Sequence, residues 1–457
     1  MYRLKLIGID NTNQYEELIK VFMPHRNYEI MSSNDDFSEL RNSEGDYDTF
    51  VFDGDKNKLK REIYESLRIR TGKSPKWGIL TGIRPVKLAG ELYKKLGSLE
   101  AVINLLENEY LLHPSKSRLT AEILEYQLNT AGKPESGGMS VYIGIPFCPT
   151  RCLYCSFTSN QVKKPEIDRY LKALFKEIEY CGRRACESGL KLESLYIGGG
   201  TPTTLDEEQL QSLLNKINNC FNIRELREFT VEAGRPDTIT SEKLEIMKRS
   251  GVDRISINPQ TMKQETLDLI GRRHTVQETE TAFSMAADAG MECVNADLIA
   301  GLPQESFEDF KASLDRIIQL QPDNITLHTL AVKRASRLKE MDEEFNYKDE
   351  ELREQMLVNA SEALGRAGYR PYYLYRQKHT SGNTENIGYC RDDKVSIYNI
   401  RIMEEAQSIL AMGAGGISKV FFPDENRLER VPNVSNYEIY IDRIDEMTER
   451  KEKNFWR

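Results

Sequence analysis

Nowhere in the chain does an apolar run approach the ~18 residues that a membrane-spanning helix needs, so no membrane span is expected. The opening stretch, Met1-Tyr-Arg-Leu-Lys-Leu-Ile-Gly-Ile-Asp10, lacks the layout of a signal peptide and reads as a strand. A basic excess is missing too. Lys and Arg number 63 against 72 Asp and Glu, a formal net charge of −9, so nucleic acid is not the expected partner. Five cysteines, Cys181, Cys186, Cys220, Cys293 and Cys390, show no disulfide-framework spacing, and free thiols of that kind suit a reducing, cytoplasmic setting. No internal repeat is visible. With 39% hydrophobic and 30% charged residues, the composition is that of a soluble globular protein. At 457 residues it can bury a large core and is expected to hold two or three domains.

What is present is concentrated in one stretch, Val141-Tyr-Ile-Gly-Ile-Pro-Phe-Cys-Pro-Thr-Arg-Cys-Leu-Tyr-Cys155. The remaining three cysteines, Cys148, Cys152 and Cys155, stand there in a C-x3-C-x2-C spacing. Three thiolates on one tight loop can hold three irons of a four-iron, four-sulfur cluster. The missing fourth ligand leaves one iron open to a substrate or cofactor, as catalytic metal sites keep an open position. A zinc site is the alternative, but zinc would want a fourth Cys or His at short spacing, and His113 and His274 are the nearest histidines.

Taken in order, residues 1–72 read as a small α/β domain. Its elements are a strand at Tyr2–Ile9, a helix at Gln14–Phe22, a strand at Tyr47–Phe52 and a charged amphipathic helix at Lys58–Thr71. Residues 73–138 read as a helical connector: Trp77-Gly-Ile-Leu-Thr-Gly-Ile-Arg-Pro85 is turn-rich, and helices follow at Pro85–Leu96, Leu99–Asn108 and Ser115–Thr130. Over 139–345 the pattern becomes strand–helix alternation, the signature of a parallel sheet. Strands are expected at Ser140–Ile145, Ser194–Ile197, Glu228–Glu232, Arg254–Asn258, Cys293–Ile299 and Asn324–Leu330. Six such units make a partial (β/α)6 barrel, about three-quarters of the closed eight-unit form. Residues 346–457 form a C-terminal α+β extension whose tail, Asp442–Arg457, is charged and expected to fray.

Barrels of this kind carry their chemistry on the loops after the strands. The cysteines follow the first strand, Gly198-Gly-Gly-Thr-Pro-Thr203 follows the second and Glu232 ends the third. Gln260, Asp297 and Ala331 fall at or near the ends of the next three. Glycines after the second strand let the backbone approach a ligand with no Cβ in the way.

The cysteine spacing, with Tyr154 before the last cysteine, resembles the signature of radical S-adenosylmethionine (SAM) enzymes. The longer strings Tyr142–Cys148 and Cys152–Phe157 resemble the oxygen-independent coproporphyrinogen III oxidase family, HemZ-like branch. The likeness runs from about Tyr142 to about Lys419. It implies a [4Fe-4S] cluster on Cys148, Cys152 and Cys155, and one or two SAM molecules. Tyr142 and Tyr154 match SAM-contacting positions. Gly199, Gly200 and Thr201 match the methionine-binding loop. Glu232, Gln260, Arg272 and Asp297 match polar contacts, and Ala331 and Ile417 match contacts to adenosyl groups. The implied activity begins with one-electron cleavage of SAM to methionine and a 5′-deoxyadenosyl radical. That radical takes a hydrogen from each of two propionates of coproporphyrinogen III, giving vinyls. The implied partners are a porphyrinogen or haem-like tetrapyrrole and a low-potential donor such as flavodoxin or ferredoxin. Lys333, Arg334, Arg337, Arg376 and Lys378 are candidate cations for the propionates.

The sequence departs from that family at three places. Gly144 stands for the usual His, and Ser156-Phe157 replaces an extra cysteine. Glu385-Asn-Ile-Gly-Tyr-Cys390 stands where related haem chaperones carry a His-Asn-x-x-Tyr-Trp motif. The rival readings are a haem chaperone, with His379 or Cys390 as substitute ligand, a radical methyltransferase acting on haem, and a structural iron–sulfur protein.

Overall fold

The computed structural model describes residues 2–32, 47–157, 159–331, 338, 350–377 and 384–456. At the N-terminus, β1 (Tyr2–Ile7) lies between β2 (Tyr28–Ser32) and β3 (Tyr47–Val51), all parallel. Leu4 and Leu6 of β1 meet α1 (Asn13–Phe22) through Leu18 and Ile19, and α2 (Lys56–Thr71) through Ile63 and Leu67. Ile79 of the connector joins this same cluster. The helices α3 (Pro85–Leu96), α4 (Leu99–Asn108) and α5 (Pro114–Thr130) follow.

Next come six strands in sequence order: β4 (Gly138–Ile145), β5 (Lys191–Gly199), β6 (Glu228–Glu232), β7 (Arg254–Gln260), β8 (Cys293–Ala300) and β9 (Asn324–Thr329). Each pairs in parallel with the next. The connecting helices are α6 (Lys164–Ser188), α7 (Glu207–Cys220), α8 (Ser241–Arg249), α9 (Gln264–Leu269) with α10 (Val276–Asp288), and α11 (Phe307–Gln319). Their starts are written locally. Asp206 with Gln209, Thr275 with Glu278 and Ser306 with Asp309 form capping boxes that satisfy first-turn N–H groups. Gly189 ends α6 in the left-handed conformation at φ 65°. Val141, Ile143, Leu195, Ile197, Phe229, Val231, Ile255, Ile257, Ile325 and Leu327 alternate along the strands and enter one large core. This is the expected α/β architecture with a (β/α)6 barrel.

After α12 (Glu350–Arg366), strands β10 (Arg370–Arg376) and β11 (Glu385–Cys390) extend the β9 edge antiparallel. The helix α13 (Ile397–Glu404) follows, and then β12 (Ser408–Met412) runs parallel to β4 at the opposite edge. β13 (Ile417–Phe422) and β14 (Arg427–Pro432) complete a sheet of 11 strands, and α14 (Tyr437–Asp442) and α15 (Ile444–Asn454) end the chain. The tail therefore does not fray as expected: α15 buries Met447 and Lys451 against α6. Its sequence looks soluble because most of its charges do face water, and the one that does not is paired.

Candidate functional site

Facing away from the apolar layer, the barrel strands present polar side chains that bond across the strands. Ser140 and Ser194 hydroxyls lie 2.7 Å apart, and Tyr196 OH donates to Glu232 at 2.6 Å. Asn295 Nδ2 donates to Ser256 at 2.8 Å and to Asp297 at 2.7 Å, and Thr326 OH donates to Asn295 at 3.0 Å. Arg254 donates to Asn324. Ordinary barrels of this class fill that space with branched apolar side chains. Here α13 closes the N-terminal end. Glu228 accepts from the Ser396 hydroxyl at 3.0 Å and the Ile397 N–H at 2.5 Å, and Tyr398 stacks on Tyr196 at 4.5 Å. Tyr142 stands 6.3 Å from both rings. Above these tyrosines, β4 and β5 carry only the paired Gly144 and Gly198, and a Cβ on Gly198 would stand 2.8 Å from Tyr196 Cε1 and 3.0 Å from Glu232 Cδ, so glycine lets Glu232 lie against the strand.

The cysteine loop is braced on that rim from several sides. Cys148 N–H donates to Asn160 O at 3.0 Å and Leu153 N–H to Ile270 O at 2.9 Å. Thr150 OH donates to Gly271 O at 3.0 Å and accepts from Arg235 at 2.7 Å. The Gly200 and Thr201 N–H groups donate to Ile145 O and Phe147 O, both at 2.8 Å. The Thr201 hydroxyl lies 3.4 Å from Cys148 Sγ. Gly199 adopts φ 112°, and a Cβ on Gly200 would stand 2.5 Å from Phe147 O. All three cysteines are free. Burial, with the neighbouring thiols Cys155 and Cys152, pushes Cys148 up to about 11, against the Thr201 hydroxyl and Arg235. A thiol so placed keeps its proton until a metal displaces it.

The other candidates fall into two groups. Arg272 reaches under the loop, donating to Gly234 O and Asn258 O at 2.6 Å and lying 3.4 Å from Tyr154 OH. Gln260, at φ 71° and 7% exposed, keeps a buried Oε1 with no partner. Burial, with Asp297 adding to it against the Tyr196 hydrogen bond, pushes Glu232 up to about 7. Asp297 is held on its second oxygen by His328 Nε2 at 3.4 Å, and His328 Nδ1 meets Tyr375 OH at 3.2 Å. Ala331 lies just past β9, and Ile417, 46% exposed, begins β13 beyond the Gly413–Gly416 turn. Among the described residues, neither is brought into a hydrogen bond or ring contact with the rest.

The sequence reading missed Tyr196, Tyr398, His328, Tyr375 and Arg235. All but Arg235 and Tyr398 sit on strands, and a period-two polar alternation along β5 to β10 was the available signal. Arg376, a candidate propionate cation, is already engaged. Its guanidinium donates to Leu80 O and to Gly82 O at 3.3 Å, over the Trp77 ring at 5.0 Å. A strand-end arginine looks free in one dimension; the connector folding back over β10 consumes it. Lys333, Arg334, Arg337, Lys378 and His379 lie outside the described residues.

The radical SAM superfamily model matches residues 142–317. The HemZ protein of Bacillus subtilis (strain 168), an oxygen-independent coproporphyrinogen-III oxidase-like protein, is 40% identical over 408 residues, 87% of this chain and 80% of its own. The chain belongs to the HemZ-like branch of the radical SAM superfamily. The heme chaperone HemW of the same organism is 37% identical over 195 residues, 42% of this chain and 51% of HemW. The coproporphyrinogen III oxidase HemN of Escherichia coli, a radical SAM enzyme, shares the fold: TM-score 0.53 at 22% identity, covering 73% of each chain.

Membership of that superfamily implies a [4Fe-4S] cluster and SAM, and the residues present fit both. Among the described residues no group of three or more His, Cys, Asp or Glu side chains converges to hold a single metal ion. Three thiols on one loop supply one sulfur to each of three irons, the donor set of a [4Fe-4S] cluster with one open iron. Gly199 and Gly200 form a cradle that any Cβ would fill, and Gln260 Oε1, at the end of β7, is an orphaned acceptor. No described helix is long and apolar enough to cross a membrane.

Proposed function

We propose that this protein is an oxygen-independent tetrapyrrole enzyme that converts two propionates of coproporphyrinogen III to vinyls. The observation that carries the reading is the convergence, on one rim of a polar barrel, of three free thiols, a glycine cradle and two carboxylates, Glu232 and Asp297. Likeness to HemZ over 80% of that protein supports the substrate. Cys148, Cys152 and Cys155 would hold the cluster. Gly199, Gly200, Thr201, Glu232, Gln260, Arg272 and Asp297, with Tyr142 and Tyr154, would hold SAM, and Ala331 and Ile417 would border a second molecule. Bound there, cluster and SAM supply one-electron reduction and a hydrogen-abstracting radical. Each propionate would then lose one hydrogen atom to the 5′-deoxyadenosyl radical, CO2, and one electron to an external one-electron acceptor. The barrel's own part is to position the cofactor and to exclude water. The stacked Tyr142, Tyr196 and Tyr398 would form the floor, and the Tyr375–His328–Asp297 chain would fix the Asp297 carboxylate.

Of the two substitute ligands for a haem chaperone, His379 lies outside the described residues and Cys390 is buried in a strand. Glu385 is 3% exposed and accepts from Trp77 Nε1 at 2.9 Å and from Lys116. Cys390 is fully buried, 3.5 Å from Tyr126 OH. Anaerobic turnover tests the proposal. The reconstituted protein with dithionite and SAM is expected to form 5′-deoxyadenosine in response to coproporphyrinogen III and to release two CO2 per porphyrinogen. Cys152→Ser should abolish both. Deoxyadenosine without decarboxylation overturns the substrate, and tight haem binding without SAM cleavage overturns the enzyme.

Glu232 adds a pH signature. SAM is cationic at its sulfonium and ammonium, so Glu232 attracts it only when ionised. With its carboxyl raised to about 7, Glu232 is mostly neutral at pH 6 and mostly ionised at pH 8. SAM affinity, measured by equilibrium dialysis, is expected to rise up to about tenfold across that interval. In Glu232→Gln the rise should vanish.

A further inference from the structure

The motif Thr81-Gly-Ile-Arg-Pro-Val-Lys87 has no part in the site above, yet it builds one of its own. Arg84 stands at the N-cap position of α3, and Lys87 sits in that helix's first turn. Both turn toward Glu405, which ends α13 with φ 51° and is 8% exposed. Arg84 lies 2.9 Å from Glu405 Oε1 and Lys87 3.2 Å from Oε2. From the C-terminal hairpin, Arg430 comes to 3.3 Å of Oε1 and Lys419 to 3.6 Å. Among the described residues Glu405 is the one carboxylate paired with any of the four cations. The cluster therefore carries three positive charges in excess, in a chain whose net charge is −9.

Glu405 cannot satisfy this set. Its Oε1 has two lone pairs and three cations crowd it. Lys419 is 8% exposed, and among the described residues the one carboxylate oxygen its ammonium meets is that shared one, at 3.6 Å. Among the described residues, Arg84 Nε is buried with no hydrogen-bond partner. Burying unmatched cations is costly unless a counter-charge arrives. Burial and then Arg84 push Lys419 down to about 8. The start of α3 adds its own attraction for anions: Arg84 forms no side-chain cap, Pro85 is at the first turn, and the first N–H groups of any helix lack intrahelical acceptors.

We propose that Arg84, Lys87, Lys419 and Arg430, with the N-terminus of α3, form a binding site for an oxyanion of two or more negative charges. The site is separate from the cysteine rim, because Lys419 pairs across β12 with Ile409, which is level with Ser140 near the start of β4. An anion there joins the connector that precedes the barrel to the hairpin that follows it. Its charge can come from a phosphoryl group or from the carboxylates of a tetrapyrrole, and binding tells these apart.

Isothermal titration of the full chain in low-salt buffer, with pyrophosphate and separately with coproporphyrin III, tests the site. At least one of the two should bind saturably. Lys419→Gln should weaken that binding at least tenfold. Arg430 is 57% exposed in its side chain, so Arg430→Gln should fold normally and weaken binding several-fold. Pyrophosphate alone behaving this way assigns a phosphoryl ligand, and coproporphyrin III alone assigns carboxylates. No saturable binding of either probe, or binding that Arg430→Gln and Lys419→Gln leave unchanged, overturns the proposal.

Discussion

Replacing Gly200 by alanine is expected to reduce SAM cleavage by a factor of about 100 or more while the barrel stays folded. The reason is where the added methyl would go. It would stand 2.5 Å from Phe147 O, 2.9 Å from Phe147 C and 3.0 Å from Cys148 Sγ. Two of those atoms are backbone, and Phe147 is fully buried between Tyr170 at 5.2 Å and Tyr437 at 5.5 Å, so it cannot step aside. The strain must move the loop that carries Cys148. Overpacking of this sort costs about 1–3 kcal/mol of stability. Gly198→Ala is the control. Its methyl would meet side chains, Tyr196 Cε1 at 2.8 Å and Glu232 Cδ at 3.0 Å, and so would press on the proposed SAM-binding face rather than on the cysteine loop. Iron and sulfide content after reconstitution should fall sharply in Gly200→Ala and much less in Gly198→Ala. Equal iron loading in both would mean that the cradle does not govern the cysteine loop.

That prediction needed coordinates, although the motif did not. The six barrel strands, the three capping boxes and the cysteine loop are written in short windows, where periodicity and cap residues act locally. What the sequence concealed is long-range. Tyr398 reaches the barrel floor from more than 200 residues beyond Tyr142, and no spacing rule connects them. Glu385-Asn-Ile-Gly-Tyr-Cys390 resembles a degenerate haem motif in sequence, and with no alternation it carries no strand signal, yet it forms β11. All six of its residues are buried, as suits a strand covered on both faces. The Trp77–Arg84 connector reads as a loop. Its carbonyls and indole satisfy Arg376 and Glu385 some 300 positions later. Polar residues inside the barrel were legible one at a time as site candidates. Their continuity as a lining, from Ser140 to His328, appears only when the strands are laid side by side.

The second large effect lies where the sequence suggested least, in the C-terminal helix. Lys451 and Glu177 are both fully buried, and Lys451 Nζ donates to Glu177 Oε1 and to Asn433 Oδ1, each at 2.6 Å. The other Glu177 oxygen accepts from Tyr440 OH at 2.6 Å and from Gly413 N–H at 2.8 Å. Asn433 Nδ2 closes the network on Glu177 at 2.8 Å and on Gly413 O at 2.9 Å. Lys451→Met removes the cation and leaves a carboxylate with no counter-charge in the core, a change that costs about 3–5 kcal/mol. Urea unfolding followed by tryptophan fluorescence should show that loss. The double variant Glu177→Gln with Lys451→Met should recover part of it, because no buried charge then remains. The loss also reaches the rim. Gly413 packs on Gly144 O, and Tyr170 OH donates to that same carbonyl at 2.6 Å while accepting from Ala414 N–H at 3.0 Å. Gly144 lies four residues before Cys148. A network that only held the tail would leave the cluster loop untouched. One that sets the Gly413 turn against β4 should lower iron retention in Lys451→Met even at temperatures where the variant stays folded.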